Sequence, residues 1–170
     1  MPDSPLLVRP STPADAPFLA VLHDAVRGEE VATFGWPPDV AEAFLAQQRV
    51  LRDAQYAAAY PHAQQVLAEV DGAPVARLLV DARTTHRHIV DLAVLPAHQG
   101  RGIGTVLLHG VLEQAAAEGV PVRLTVRADN AGARRLYARL GFAVVRDDGL
   151  DLALEASTDQ EVARGRTVHW

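Results

Sequence analysis

The chain has 170 residues, 49% of them hydrophobic and 22% charged, which is the length and balance of one globular domain with a single core. Its 21 acidic residues outnumber the 16 basic ones, so a nucleic-acid-binding protein with a basic face is not expected, and no apolar run is long enough to span a membrane. Because the chain contains no cysteine, it cannot form disulfides, Cys-ligated zinc sites or an acyl-cysteine intermediate.

The first half of the chain predicts a strand, two helices and a β-hairpin. The expected bounds are a strand at 6–9, helices at about 12–28 and 40–60, and strands at 66–70 and 75–80. Thr12 can cap the first helix, Pro13 suits its first position, and Gly28 marks its expected end. The residues expected to be buried on this helix are Phe18, Leu19, Leu22 and Val26. Segment 29–39 is expected to be irregular, and Asp71-Gly72 is a typical hairpin turn.

The stretch from Asp91 to Gly104 is expected to build the functional site. The apolar, β-branched residues 87–95 predict a mostly buried strand, which Pro96 ends because a proline nitrogen cannot donate to the ladder. A loop with three glycines follows, Gly100, Gly102 and Gly104, and a helix is expected at 105–118. Unpaired N–H groups at a helix N-terminus attract anions, and glycines let the backbone approach a phosphate closely. The stretch therefore predicts a phosphate-binding site.

The remainder of the chain predicts three more strands and a short helix. The expected bounds are strands at 122–127, 142–146 and 150–154, and a helix from Asp129-Asn130 to about 140. A polar tail at 157–170 is expected to be disordered or docked. The order of the elements predicts a mixed sheet with helices on both faces.

Three kinds of phosphate site compete for the glycine loop. A P-loop needs a lysine after its glycines, and none stands there. A dinucleotide fingerprint needs a third glycine at the position of Thr105. The third kind fits, because Gln99-x-x-Gly102-x-Gly104 resembles the [R/Q]-x-x-G-x-[G/A] motif that wraps the pyrophosphate of coenzyme A in the GCN5-related N-acetyltransferase (GNAT) superfamily.

A second motif supports this resemblance. Residues 128–142, A-D-N-A-G-A-R-R-L-Y-A-R-L-G-F, are similar to the superfamily's N-x-x-A-x-x-x-Y-x-x-x-G-F segment. The second helix and residues 91–105 are similar to those of a bacterial subgroup of the superfamily, and this similarity indicates no particular substrate. The resemblance implies an α/β (α+β) fold in one domain at 1–156, with a mixed, mostly antiparallel sheet of about six or seven strands and about four helices on both faces.

The resemblance also implies an enzyme that moves an acetyl group from acetyl-CoA to a primary amine of a small molecule or peptide. Because the chain lacks cysteine, direct attack in a ternary complex is expected. The implied cofactor contacts are Leu92, Ala93, Val94, Gln99, Gly100, Arg101, Gly102, Ile103, Gly104, Thr105, Asn130 and Tyr137. Gln99 stands where arginine is commoner, and Arg101 is expected to offset the missing charge. A non-catalytic acyl-CoA-binding domain, such as a sensor, is the alternative, and the retained Tyr137 argues against it.

Three residues are candidates for proton transfer. The resemblance gives Tyr137 the role of donor to the leaving thiolate, and it lies about two helical turns after Asn130, on the same face; the alternative is a core aromatic. The resemblance makes His88 the base, and an ordinary pKa of about 6.5 suits that role; the alternative is a solvent-exposed histidine. Asp91 is the other candidate base, because a carboxylate in an apolar strand is costly unless paired. Its alternative is an internal hydrogen bond or an ion pair, for example with an arginine, and a water chain without a single base stays open.

Other expectations concern the acceptor and the surroundings of the chain. Phe34, Trp36 and Tyr56 lie where the superfamily has the wall of its acceptor pocket, or they are core aromatics. His86 and His88 form an H-x-H pair without a third ligand, so no metal is expected. The first residues do not resemble a signal peptide, so a cytoplasmic location is expected by default. The expected partners are acetyl-CoA and an amine acceptor, without nucleic acid or membrane, and a homodimer is left open.

Overall fold

The structure is a computed structural model that describes residues 6–157. Its strands are β1 (Leu7–Pro10), β2 (Gln64–Val70), β3 (Ala73–Ala82), β4 (Arg87–Val94), β5 (Val122–Arg127), β6 (Ala143–Asp147) and β7 (Asp151–Ala156). Its α-helices are α1 (Ala16–Ala32), α2 (Pro38–Ala59), α3 (Ile103–Glu118) and α4 (Ala131–Arg139), with 3-10 turns at Pro13–Asp15 and Pro96–His98. Apart from Ser157, the predicted tail lies outside the described residues.

The strands form one sheet in the order β1-β2-β3-β4-β5-β7-β6. Neighbouring strands are antiparallel except β4 and β5, which are parallel and joined by the crossover helix α3. Helix α3 packs on one face, where Leu107, Leu108 and Val111 belong to the main core. Helices α1 and α2 cover the other face, where Leu22 and Leu67 are buried. The predicted mixed, mostly antiparallel sheet with helices on both faces is confirmed.

The bounds of the first two helices differ from the prediction. Helix α1 continues through Gly28 to Ala32 and α2 begins at Pro38, so only residues 33–37 of the expected irregular segment connect them. Glycine inside a helix costs only about 1 kcal/mol, which tertiary packing easily outweighs. Pro38 suits the first position of α2, because its missing N–H would have no intrahelical partner there. Within residues 6–157, no helix has both the length and the apolar character that a membrane span requires.

The buried face of α1 also differs from the prediction. Leu22 is buried as expected, and Phe18 and Leu19 are half-buried. Val26 is exposed, because it faces a cavity between the helices and β4, whereas His23 and Val31 are buried. The helix therefore presents an imidazole as well as aliphatic side chains to the sheet.

Candidate active site

Strands β4 and β5 separate partway along their length. Pairing is limited to Arg87–Ile89 of β4, which lie opposite Val122–Leu124 of β5. On its other side, β4 pairs Ile89 with Val80 and Asp91 with Leu79, so Val90 is an extra residue in the ladder. Such a bulge bends a strand and increases its twist. The backbone of Leu92–Val94 consequently has no strand partner on the β5 side within the described residues, as a site for an extended ligand requires.

The loop after β4 forms an anion-binding cradle. Gly100 and Gly102 have φ of 74° and 80°, a left-handed conformation that other residues rarely adopt. Gly102 is the N-cap of α3, and the first intrahelical hydrogen bond of this helix runs from Val106 N to Gly102 O at 3.0 Å. The N–H groups of residues 103–105 precede that bond and are available to a ligand.

A cavity of about 690 Å³ lies between this loop, β4 and α4, and we call it the loop cavity. Its volume is in the range of small-molecule sites. The predicted cofactor contacts that line it are Leu92, Val94, Gln99, Gly100, Gly102, Ile103, Gly104, Thr105, Asn130 and Tyr137. Arg135 and Arg139, one turn apart on α4, also line it, whereas no acidic residue of the described chain does. Positive side chains and a helix N-terminus together suit a ligand that carries phosphates.

Asn130 and Tyr137 lie at opposite ends of the same helix. Asn130 is the N-cap of α4, where its Oδ1 accepts a hydrogen bond from Ala133 N at 3.1 Å. Tyr137 is only 8% exposed, and its ring meets Phe142 edge to face at 5.6 Å. Burial, and to a lesser degree the negative charge of Asp91, raise the pKa of Tyr137 to about 12. Its hydroxyl therefore carries its proton throughout the neutral range and is a potential proton donor.

A second cavity of about 380 Å³ lies on the other side of β4, and we call it the α1–α2 cavity. Its lining includes Tyr56 from α2, and Asp91 and Ala93 from β4. Leu92 lines both cavities, so the two spaces meet at this strand. A ligand in the loop cavity and a second molecule in the α1–α2 cavity would approach one another at Leu92.

Asp91 forms an ion pair with Arg77 on β3. Nη2 of Arg77 donates to Oδ2 of Asp91, and the Arg77 side chain is only 4% exposed, against 25% for Asp91. This pair matches the alternative to a role as base that the sequence left open for Asp91. Nε of Arg77 is buried without a partner within the described residues, so the arginine depends on Asp91 for compensation.

His88 stands apart from both cavities. Its ring stacks on Tyr60 with centroids 5.5 Å apart, and Nε2 lies 3.4 Å from the Tyr60 hydroxyl. It is among the lining residues of neither cavity, and it is half-buried, not solvent-exposed. Burial, followed by the positive charges of His86 and Arg83, lowers the pKa of His88. The imidazole is therefore neutral at neutral pH.

The sequence matches the model of the Acetyltransferase (GNAT) family over residues 24–142. The chain belongs to this acetyltransferase family. It is 40% identical over 86 residues to mycothiol acetyltransferase of Nocardia farcinica, a match that covers 50% of this chain and 27% of that protein. It is 40% identical over 74 residues to streptothricin acetyltransferase of Streptomyces lavendulae, covering 43% of this chain and 38% of that protein. The chain thus spans well under half the length of these relatives.

Solved structures of the family share the fold over nearly the whole chain. PaiA N-acetyltransferase from Thermoplasma acidophilum, solved in complex with coenzyme A, has a TM-score of 0.69 at 16% identity, covering 90% of this chain and 99% of that one. An acetyltransferase from Thermus thermophilus has a TM-score of 0.65 at 25% identity, covering 92% and 99%. The β4–β5 separation therefore lies in a fold that these acetyltransferases share.

Several predicted site residues of this family member lie outside the loop cavity. Arg101 is exposed on the loop and is not part of the lining. Ala93 lines the α1–α2 cavity instead. Gln99 lines the loop cavity, but its Nε2 donates to Val94 O at 3.1 Å and so ties the loop to the end of β4.

Of the predicted acceptor-pocket aromatics, only Tyr56 lies at a cavity beside β4. Phe34 and Trp36 are 48% and 42% exposed and line neither the loop cavity nor the α1–α2 cavity. Their rings are 4.9 Å apart, and Trp36 also contacts Phe44 edge to face at 5.2 Å. They form an aromatic cluster at the connection between α1 and α2.

Several residues that line the two cavities were not predicted from the sequence. Arg135 and Arg139 could have been found from their i, i+4 spacing on the helix that carries Tyr137. His98 lines the loop cavity, and its Nδ1 is buried without a hydrogen-bond partner among the described residues. His23 lines the α1–α2 cavity with its Nδ1 3.0 Å from Asp24 Oδ1. Nothing in the sequence near His23 marks it.

Proposed function

We propose that this chain transfers the acetyl group of acetyl-CoA to a primary amine of a small molecule or peptide, by direct attack in a ternary complex. One observation carries the proposal: an anion-binding cavity and a second cavity meet at Leu92, on the part of β4 that no longer pairs with β5. Two substrates bound in these cavities would be brought together at one point, which is how enzymes of this kind lower the entropic part of the barrier.

The residues of the loop cavity fit coenzyme A. The N–H groups of residues 103–105 would hold its pyrophosphate, with Arg135 and Arg139 adding positive charge. The open backbone edge of Leu92–Val94 would pair with the pantetheine arm as an added strand does. The thioester would supply the activated acetyl group at the junction of the two cavities.

Two side chains of the family member would handle the protons. Asp91 lines the α1–α2 cavity, so its carboxylate would accept a hydrogen bond from the amine and take the proton as the C–N bond forms. His88 lines neither cavity, which favours Asp91 as the group that faces the amine. Tyr137, protonated and lining the loop cavity, would give its proton to the departing sulfur. Because the chain has no cysteine, no acyl-cysteine step precedes the transfer.

Acetyl-CoA consumption with a panel of primary amines tests the proposal. We expect release of coenzyme A that depends on at least one amine, with a product heavier by one acetyl group in the mass spectrum. Tight acetyl-CoA binding without product from any amine would favour a non-catalytic acyl-CoA-binding domain. Failure to bind either coenzyme A or acetyl-CoA would contradict both assignments of the loop cavity.

A further inference from the structure

The charged residues that line the α1–α2 cavity are mostly arginines. Arg27, Arg52 and Arg77 face a single acid, Asp91, so three positive charges minus one negative leave a net charge of +2. The ion pair between β3 and β4 neutralises Arg77, and the excess among the lining residues lies on the helical wall at Arg27 and Arg52, whose own acidic partners lie outside the lining. The chain as a whole has a net charge of -5. An acidic protein thus turns positive charge toward this cavity, which favours an anionic ligand.

The present partners of these arginines can be replaced. Nη1 of Arg27 lies 3.1 Å from Glu30, and Nη2 of Arg52 lies 2.7 Å from Asp53. The two carboxylate side chains are 58% and 56% exposed, and neither residue lines the α1–α2 cavity. Ion pairs whose carboxylate is this exposed contribute little to stability. A ligand carboxylate entering the cavity can therefore take over either guanidinium at small cost.

Arg52 is oriented by more than its acidic neighbour. Its guanidinium lies 5.9 Å from the centroid of the Tyr56 ring, a cation–π distance, and its side chain is only 21% exposed. Tyr56 itself lines the cavity. At about 380 Å³, the space is near the lower end of the range for small-molecule sites, so it suits a small molecule better than a folded partner.

We propose that the α1–α2 cavity binds a primary amine that also carries a carboxylate, as an amino acid does. Arg27 and Arg52 hold the carboxylate, because a guanidinium matches its two oxygens, and the amine lies beside Asp91 near the thioester. The assignment rests on the proposed acetyl transfer and narrows its acceptor. The helices recognise the carboxylate end of the acceptor, and β4 recognises its amine end.

Pairs of acceptors that differ at the carboxyl end test this assignment, with each kcat/KM referred to the concentration of the neutral amine, because a carboxamide also lowers the pKa of the adjacent amine. Each amino acid in a panel is compared with its own carboxamide, and kcat/KM for acetylation is measured for both. We expect the carboxylate to be preferred by about tenfold or more, the effect of hydrogen bonds to a charged group. Arg52→Gln and Arg27→Gln are expected to move the ratio toward one. Arg123→Gln, which removes an exposed arginine on β5, is the matched control and should leave the ratio unchanged.

Calorimetric titration of the same pairs into the coenzyme A-bound protein separates the two levels of the proposal. If the wild type acetylates carboxamides with the same kcat/KM as carboxylates, the carboxylate site is overturned and acetyl transfer is unaffected. Carboxylate-selective binding that Arg52→Gln abolishes, without turnover of any amine, overturns acetyl transfer and supports the anion site. A wild-type preference that neither arginine variant changes also overturns the assignment to Arg27 and Arg52.

Discussion

Two glycines of the loop offer a matched pair of substitutions with opposite expected outcomes. Gly102 has φ of +80°, and a Cβ there would meet no atom within 4 Å. Alanine would be sterically free but strained, by roughly 1–2 kcal/mol for a left-handed residue. Gly104 has helical backbone, and its Cβ would lie 3.4 Å from Leu136 Cδ2 and 3.6 Å from Leu92 Cδ2. These are ordinary contacts, so alanine would improve helix propensity by up to about 1 kcal/mol.

The strain in Gly102→Ala is expected to lower either the free energy of unfolding or the affinity for coenzyme A. If the loop keeps its conformation, the free energy of unfolding falls by about 1–2 kcal/mol. If the free loop relaxes, coenzyme A must restore the cradle, and its Kd rises about five- to thirtyfold. Gly104→Ala is expected to keep wild-type affinity and to unfold at equal or higher urea concentration. The two measurements are urea unfolding by circular dichroism and calorimetric titration with coenzyme A. A Gly102→Ala variant unchanged in both, or a Gly104→Ala variant that loses affinity, would refute the cradle.

Three other predictions concern charged and titratable side chains. Arg135→Gln and Arg139→Gln should each weaken coenzyme A binding by no more than about fivefold, because both arginines are exposed and solvent screens their charge. The difference in Kd from the wild type should shrink in titrations at high salt, and a difference that is independent of salt would contradict an electrostatic role. Asp91→Ala should lower the free energy of unfolding by about 3 kcal/mol, because it leaves the buried Arg77 charge unpaired. The double variant Asp91→Ala/Arg77→Met should recover most of this loss. If the losses of the two single variants simply add in the double variant, Arg77 and Asp91 do not stabilise one another. The lowered pKa of His88 means that the unfolded chain binds more protons as pH falls through about 6.5, so stability falls there. His88→Phe keeps an aromatic ring against Tyr60 and should flatten that fall in urea unfolding at pH 7 and pH 5; an equally steep fall would contradict it.

The order of elements could be predicted because local patterns decide it. The glycine loop, Pro96 and the cap at Asn130 each act within a few residues, and the strands and helices near them lie close to the predicted positions. The end of α1 was missed, because Gly28 resembles a helix stop but is carried through by tertiary packing. Local chemistry therefore predicts which elements exist better than where they end.

The acceptor side of the site could not be predicted in the same way. The bulge at Val90 depends on the register of β4 against β3, which no single segment encodes. His23, Arg52 and Asp91 come from three distant parts of the chain and meet only in the folded α1–α2 cavity. The burial of Arg77 could not be predicted either, because its sequence neighbours are typical of an ordinary strand. Its ion pair with Asp91 explains the burial.

The most direct test of the proposed acetyl transfer is the turnover of Tyr137→Phe, measured beside its affinity for acetyl-CoA. Phenylalanine keeps the ring that packs on Phe142 and removes only the hydroxyl. We predict that kcat falls by about 10²–10⁴, the contribution of a positioned general acid, with Kd for acetyl-CoA within about twofold of the wild type. An unchanged kcat would contradict the role of Tyr137 as the proton donor.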